Sequence, residues 1–216
     1  MRRFVVRFVQ MIFGLAVCAL GIVFTLNARI GYGPWDILHS GISLISGLTI
    51  GRASILVGVV IGLAVWIRAE KFGLGSICNM VIIGLMEDAI LASGIIPIAD
   101  NFWLGVVMLI IGLFGMALGT YFYIAAGFGA GPRDSLMVVA TRLTKLPVGV
   151  VRSSIEFISA FIGWMLGGLV GIGSIIYVLA IGACMQIIFR FFHFVPAEVK
   201  HETLWETITS LRSKSS

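Results

Sequence analysis

Gly31-Tyr32-Gly33-Pro34-Trp35-Asp36-Ile37-Leu38 returns as Gly129-Ala130-Gly131-Pro132-Arg133-Asp134-Ser135-Leu136, 98 residues later. The match continues in both directions without a gap. Gly14, Leu15, Ala19, Leu20, Gly21, Phe24 and Ala28 recur as Gly112, Leu113, Ala117, Leu118, Gly119, Phe122 and Ala126, so that 12 of the 25 residues from 14 to 38 equal their partners. Farther along, Gly51, Trp66, Gly73, Gly75, Ser76 and Gly84 match Gly149, Trp164, Gly171, Gly173, Ser174 and Gly182. A duplicated unit with Gly-Pro breaks at matching points is the sequence pointer to a transporter-like membrane core.

Composition sets the solvent. The chain is 59% hydrophobic and only 12% charged, with a mean hydropathy of +1.09. A soluble domain of 216 residues has too little interior to hide that much apolar surface. The expected fold is therefore an all-α polytopic membrane protein whose partner is the lipid bilayer. One membrane domain is expected over residues 1–196, with repeat one at about 8–98, repeat two at about 102–196 and a polar cytoplasmic tail at 197–216. The net charge of +5 comes from basic residues that flank apolar runs, which sets topology and gives no sign of a nucleic-acid partner. Cys18, Cys78 and Cys184 lie inside apolar segments without disulfide or metal spacing, and read as small buried hydrophobes. No metal site and no cofactor is expected. Residues 1–25 have the look of a signal peptide, but they match residues 109–123 in mid-chain, so a retained first span is expected.

Each unit reads as three spans and a short interrupted helix. Spans are expected near Phe8–Ala28, Ala53–Ile67 and Ile77–Ile96, then near Trp103–Ala126, Val151–Leu169 and Ile175–Phe192. The stretches from Trp35 to Ser46 and from the second turn to Thr144 are too short to cross a core of about 30 Å. If they do not cross, and the N-terminus is cytoplasmic, thirteen Lys/Arg lie inside and only Arg29 and Arg52 outside. If they do cross, the split is eleven against four. The positive-inside rule thus favours three crossings per unit and inverted repeats, with both termini cytoplasmic.

The turns carry the candidate binding residues Gly31, Gly33, Pro34 and Asp36, and Gly129, Gly131, Pro132, Arg133 and Asp134. Glycine admits unusual backbone angles, proline starts a helix at its first turn, and an aspartate there is favoured by the helix dipole. The plain interpretation is a duplicated helix entry with an acidic cap. The functional one is two broken-helix ends that converge near mid-membrane, where irregular backbone must line a cavity or be buried in protein. Exposed amides there suit an anion, whereas Asp36 and Asp134 suit a cation or a proton. Trp35 aligns with Arg133, so the pocket is asymmetric; Arg133 has solute anion, lipid phosphate and Asp134 as possible partners.

Glu87 and Asp88 stand near the middle of the fourth apolar run and are the candidate proton-coupling residues. Adjacent helical residues point about 100° apart, so at most one faces the bundle centre. Their partners in the second unit are Met185 and Gln186. Arg152 and Glu156, one turn apart, read as a structural pair. His39 reads as a satisfied core residue, and Asn79, Tyr123 and Tyr177 as inter-helix hydrogen-bonding groups. In the tail, Leu204, Trp205, Ile208 and Leu211 share a helical face that suits a membrane surface.

Through Gly-Tyr-Gly-Pro-Trp-Asp-Ile-Leu within residues 28–46, and Gly-Phe-Gly-Ala-Gly-Pro-Arg-Asp-Ser-Leu-Met at 127–137, the chain resembles the YczE/YyaS/YitT family of bacterial integral membrane proteins. The resemblance covers most of residues 10–190. It implies a bacterial inner membrane and supplies no catalytic or binding residues. The residues themselves lead to a small-solute transporter or channel with a central site at the two turns. The alternative is a non-transporting accessory protein that holds a membrane or biosynthetic complex. With no nucleophile–base pair, metal cluster or phosphate loop in view, no enzyme is expected. Homo-oligomers fit so small a bundle, whose short helices need cover.

Overall fold

The computed structural model describes residues 2–68, 73–129, 131–199 and 202. The regular elements among them are helices alone: α1 (Arg2–Asn27), α2 (Pro34–Ser46), α3 (Ile50–Ile67), α4 (Leu74–Ser93), α5 (Phe102–Ala125), α6 (Pro132–Thr144), α7 (Val148–Met165) and α8 (Ile172–Phe191), then a 3-10 turn at Pro196–Glu198. Six of these, all but α2 and α6, are long and apolar enough to cross a bilayer. With 13 residues each, α2 and α6 reach about 20 Å and fall short. The chain is thus an all-α polytopic membrane protein. Trp66, Trp103, Phe157, Trp164 and Leu179 are exposed, as side chains that face lipid must be. The proposed membrane-surface face at residues 204–211 lies outside the described residues.

Local chemistry moves several helix starts ahead of their expected places. Thr49 caps α3 by accepting the Arg52 amide at 3.3 Å, so α3 begins at Ile50 and carries Arg52 in its first turn. Ser76 and Ser174 reach back to the amides of Gly73 and Gly171, at 3.4 and 3.3 Å, and start α4 and α8 earlier than hydropathy alone indicates. The shift in α4 places Glu87 and Asp88 in its C-terminal third instead of at mid-span. α2 stops at Gly47, whose left-handed φ of +73° lets its amide bond to the Ser43 carbonyl.

At the centre, α1 and α5 cross in close contact and run antiparallel. Gly14 meets Gly119, Gly21 meets Gly112, and Gly105 meets Ala28. A Cβ on Gly21 would sit 2.6 Å from the Gly112 oxygen, and one on Gly112 the same distance from the Gly21 oxygen. Small residues at these points allow backbone-to-backbone packing that lipid-facing side chains would block. Every such pair has a counterpart under the 98-residue offset: Gly14 against Gly119 becomes Gly112 against Gly21. Arg7 and Gln10 continue the seam, donating to the carbonyls of Ala126 (2.8 Å) and Phe122 (3.2 Å).

Around this pair the halves interlock. α4 packs on α1 and α8 on α5, while α2 lies on α7 and α3 on α6. The packing departs from the repeat at α4. α3 lies along α4, but α7 makes no comparable contact with α8 among the described residues.

Candidate functional site

Each interrupted turn rests on the start of a helix from the other half. The Gly173 amide donates to the Ile30 carbonyl, and the Gly75 amide to the Phe128 carbonyl, both at 2.7 Å. Gly31 and Gly129 hold φ of +126° and +116°, which side chains rarely adopt. A Cβ on Gly31 would also meet the Gly171 amide nitrogen at 2.7 Å. Backbone angle and close approach therefore both demand glycine here.

The two turns meet through unlike side chains. The Arg133 guanidinium lies over the Trp35 ring, 4.7 Å from its centroid. Its Nη2 is 3.3 Å from His39 Nε2, and His39 Nδ1 is 3.7 Å from Asp36 Oδ1. Trp35 and Arg133 are themselves partners under the repeat. A contact between equivalent positions marks where the halves face each other. Arg133 thus joins the buried pair Asp36 and His39, which are 4% and 1% exposed, by charge-assisted contact. Pro34 and Pro132 are buried at the first positions of α2 and α6 and place these side chains. Asp134 is exposed, unlike its partner Asp36.

The acid pair on α4 divides as its helical angle requires. Asp88 caps α3: its Oδ1 accepts the Gly51 amide at 2.9 Å and its Oδ2 the Thr49 hydroxyl at 2.5 Å. Glu87 turns inward and is 1% exposed. Among the described residues its Oε1 has no hydrogen-bond partner, and it lies within Coulombic reach of Asp36, Asp88 and Arg133. Arg152 and Glu156 form their expected pair, at 3.1 Å, on the partly exposed surface of α7.

Beside Trp35 an apolar cavity of about 450 Å³ opens between α2, α3, α6 and α7, walled by Leu38, Ile61, Leu136, Ser159 and their neighbours. At the two turns the repeat departs from itself. Gly33 faces the ring of Tyr177, whereas Gly131 faces the Asn79 carboxamide and the Tyr123 hydroxyl. Sequence reasoning treated His39, Asn79 and Tyr123 as ordinary packing groups. The available signal was the offset itself, since Asn79 aligns with Tyr177 and Tyr123 with Thr25, four polar groups at corresponding positions.

The model of a family of unknown function, DUF6198, matches residues 5–190. The chain is 31% identical to the uncharacterized membrane protein YczE of Bacillus subtilis, over 80% of each chain. It is 30% identical to an uncharacterized protein of Haemophilus influenzae, over 82% of this chain and 80% of the other. With the uncharacterized protein YyaS of Bacillus subtilis the identity is 26%, over 87% and 92%. No solved structure matches. The chain belongs to the DUF6198 family, among whose relatives are the YczE and YyaS proteins expected from the Gly-Pro turns.

Proposed function

We propose that this protein is a small-solute carrier of the bacterial inner membrane, built from two inverted repeats with its site where the interrupted helices meet. The antiparallel α1–α5 seam, reciprocal under the 98-residue offset, supports the inversion. The observation that carries the carrier reading is the contact of Arg133, on the second turn, with Trp35 and His39 on the first. It brings two broken-helix ends to one charged centre, next to an apolar cavity and to Glu87, whose Oε1 has no hydrogen-bond partner among the described residues. In this reading Gly31, Gly33 and Pro34, with Gly129, Gly131 and Pro132, shape the walls. Asp36, Arg133 and Asp134 set their charge, and Glu87 carries the coupled proton, with Asp88 fixing α3 beside it. No catalytic step is part of it.

Two measurements test the reading. In vesicles that hold the purified protein, Asp134→Asn is expected to lower solute flux at least about tenfold, the effect of losing one charge-assisted contact, while the variant still folds. Normal flux from a well-folded variant removes Asp134 from the site. Absence of flux in the wild type, with a partner co-purifying in stoichiometric amount, replaces the carrier by an accessory protein. Cysteine labelling of residues 68–71 in intact cells is expected to find them cytoplasmic. Labelling from outside would reverse the topology.

A further inference from the structure

α3 and α7 are partners under the repeat, as α1 and α5 are. The two pairs meet differently. α1 and α5 touch backbone to backbone through Gly14, Gly21, Gly112 and Gly119. Between α3 and α7 lies the apolar cleft of about 450 Å³, with α2 and α6 bridging them. Its walls pair by the 98-residue offset: Leu38 with Leu136, Val57 with Ile155 and Val60 with Ile158. Branched side chains at these places keep the helices apart where small residues would let them close. Leu56, Val60 and Ile158 are exposed near the middle of α3 and α7, so the cleft opens sideways, toward lipid.

The matched walls break at one place. Ile61 on α3 has Ser159 as its counterpart on α7. Ser159 is 6% exposed and lines the cleft. Helical serines commonly bond to a carbonyl one turn back, as Ser40, Ser46 and Ser93 do here. Ser159 makes no such bond, and its hydroxyl has no other hydrogen-bond partner among the described residues. A buried hydroxyl in that state is destabilising until something meets it. Water is a poor occupant, because a trapped water needs two or more polar partners and the cleft offers one polar side chain. A phospholipid chain would fill the space and leave the hydroxyl as it is.

We propose that this cleft binds an uncharged lipophilic solute with one hydrogen-bonding group, taken from the bilayer and anchored at Ser159 Oγ. The volume lies in the range of small-molecule pockets, about 300–1,000 Å³. Among the described residues no charged side chain lines it; Arg133 stands over the Trp35 ring and is engaged by His39. An ion would enter without a counter-charge and without enough polar partners. Trp35 belongs both to the cleft and to the charged centre. The site thus names the solute class for the carrier reading, on which its part in transport rests.

The test uses the full-length protein in phosphatidylcholine vesicles and follows tryptophan fluorescence. The probe is a medium-chain alcohol brominated near its tail, since bromine quenches an indole that it touches. Quenching present in the wild type and absent from Trp35→Phe reports the cleft; that variant keeps an aromatic ring under Arg133. The Trp35 signal is expected to saturate with the alcohol. The alkyl sulfonate of equal length and bromination is expected to give no saturable signal at Trp35. Ser159→Ala is expected to weaken binding of the alcohol about fivefold, the loss of one neutral hydrogen bond. Ser159→Leu fills the space, and the saturable signal should vanish. The alanine variant carries the test if the leucine variant does not fold. Three results would each overturn the site: equal quenching by the sulfonate, unchanged binding in Ser159→Ala, or quenching of Trp35 by chain-brominated phosphatidylcholine that the plain alcohol fails to relieve. Because the readout needs no flux, a saturable Trp35 signal in a protein that transports nothing discards the carrier and keeps the cleft, and flux without that signal does the reverse.

Discussion

Gly112→Val is expected to remove nearly all folded protein from the membrane. Residue 112 faces the backbone of α1, where even a Cβ would be 2.6 Å from the Gly21 oxygen and 2.6 Å from Thr25 Cγ2. Two further methyl groups have nowhere to go, and the helices must separate along a seam that also contains Gly14, Gly119 and the Arg7 contact with Ala126. Overpacking at one core position costs about 1–3 kcal/mol and more against rigid backbone. Stabilities are only about 5–15 kcal/mol in total. Size-exclusion profiles of the solubilised variant report the outcome directly. A monodisperse peak at the wild-type level would show that the seam is slack. Gly182→Ala is the control: that glycine is helical with nothing within 4 Å of the added methyl, and it is expected to fold at least as well as the wild type.

The second large effect is expected from Arg133→Ala. It removes the positive charge that faces Asp36, His39 and Glu87 and exposes the Trp35 ring. Breaking one side of a buried ionic group costs about 3–5 kcal/mol, mostly because the remaining charge is left without compensation. The thermal midpoint should fall by several degrees, and flux should vanish. Asp36→Asn takes away the buried carboxylate at the end of the chain of contacts that runs from Arg133 through His39. Added to Arg133→Ala, it is expected to recover part of the lost stability without restoring flux. Strictly additive losses in the double variant would mean that Asp36 and Arg133 do not share a charge balance.

Much of this architecture is legible in the sequence because it is written in spacing. Duplicated Gly-Pro turns marked the places where helices break, and apolar runs marked the six spans. What spacing does not reveal is which side chains from distant segments end up a few ångströms apart. His39 looked like a core residue because its neighbours in sequence are serines and apolar groups, yet its ring reaches Arg133 from the other half. Asn79 and Tyr123 looked interchangeable with other polar groups until packing set both against Gly131. Glu87 and Asp88 were indistinguishable as neighbours, and only the position of Thr49 and Gly51 separated the capping acid from the inward one.

The exchanged docking of the turns constrains how the chain can be made. The first turn is covered by the start of α8 and the second by the start of α4, and α1 hides its glycines only against α5. A nascent chain halted after α4 therefore holds an open turn and a bare helical seam in the bilayer, with nothing in its own half able to close either. Closure of the first turn must therefore wait until α8 has been made.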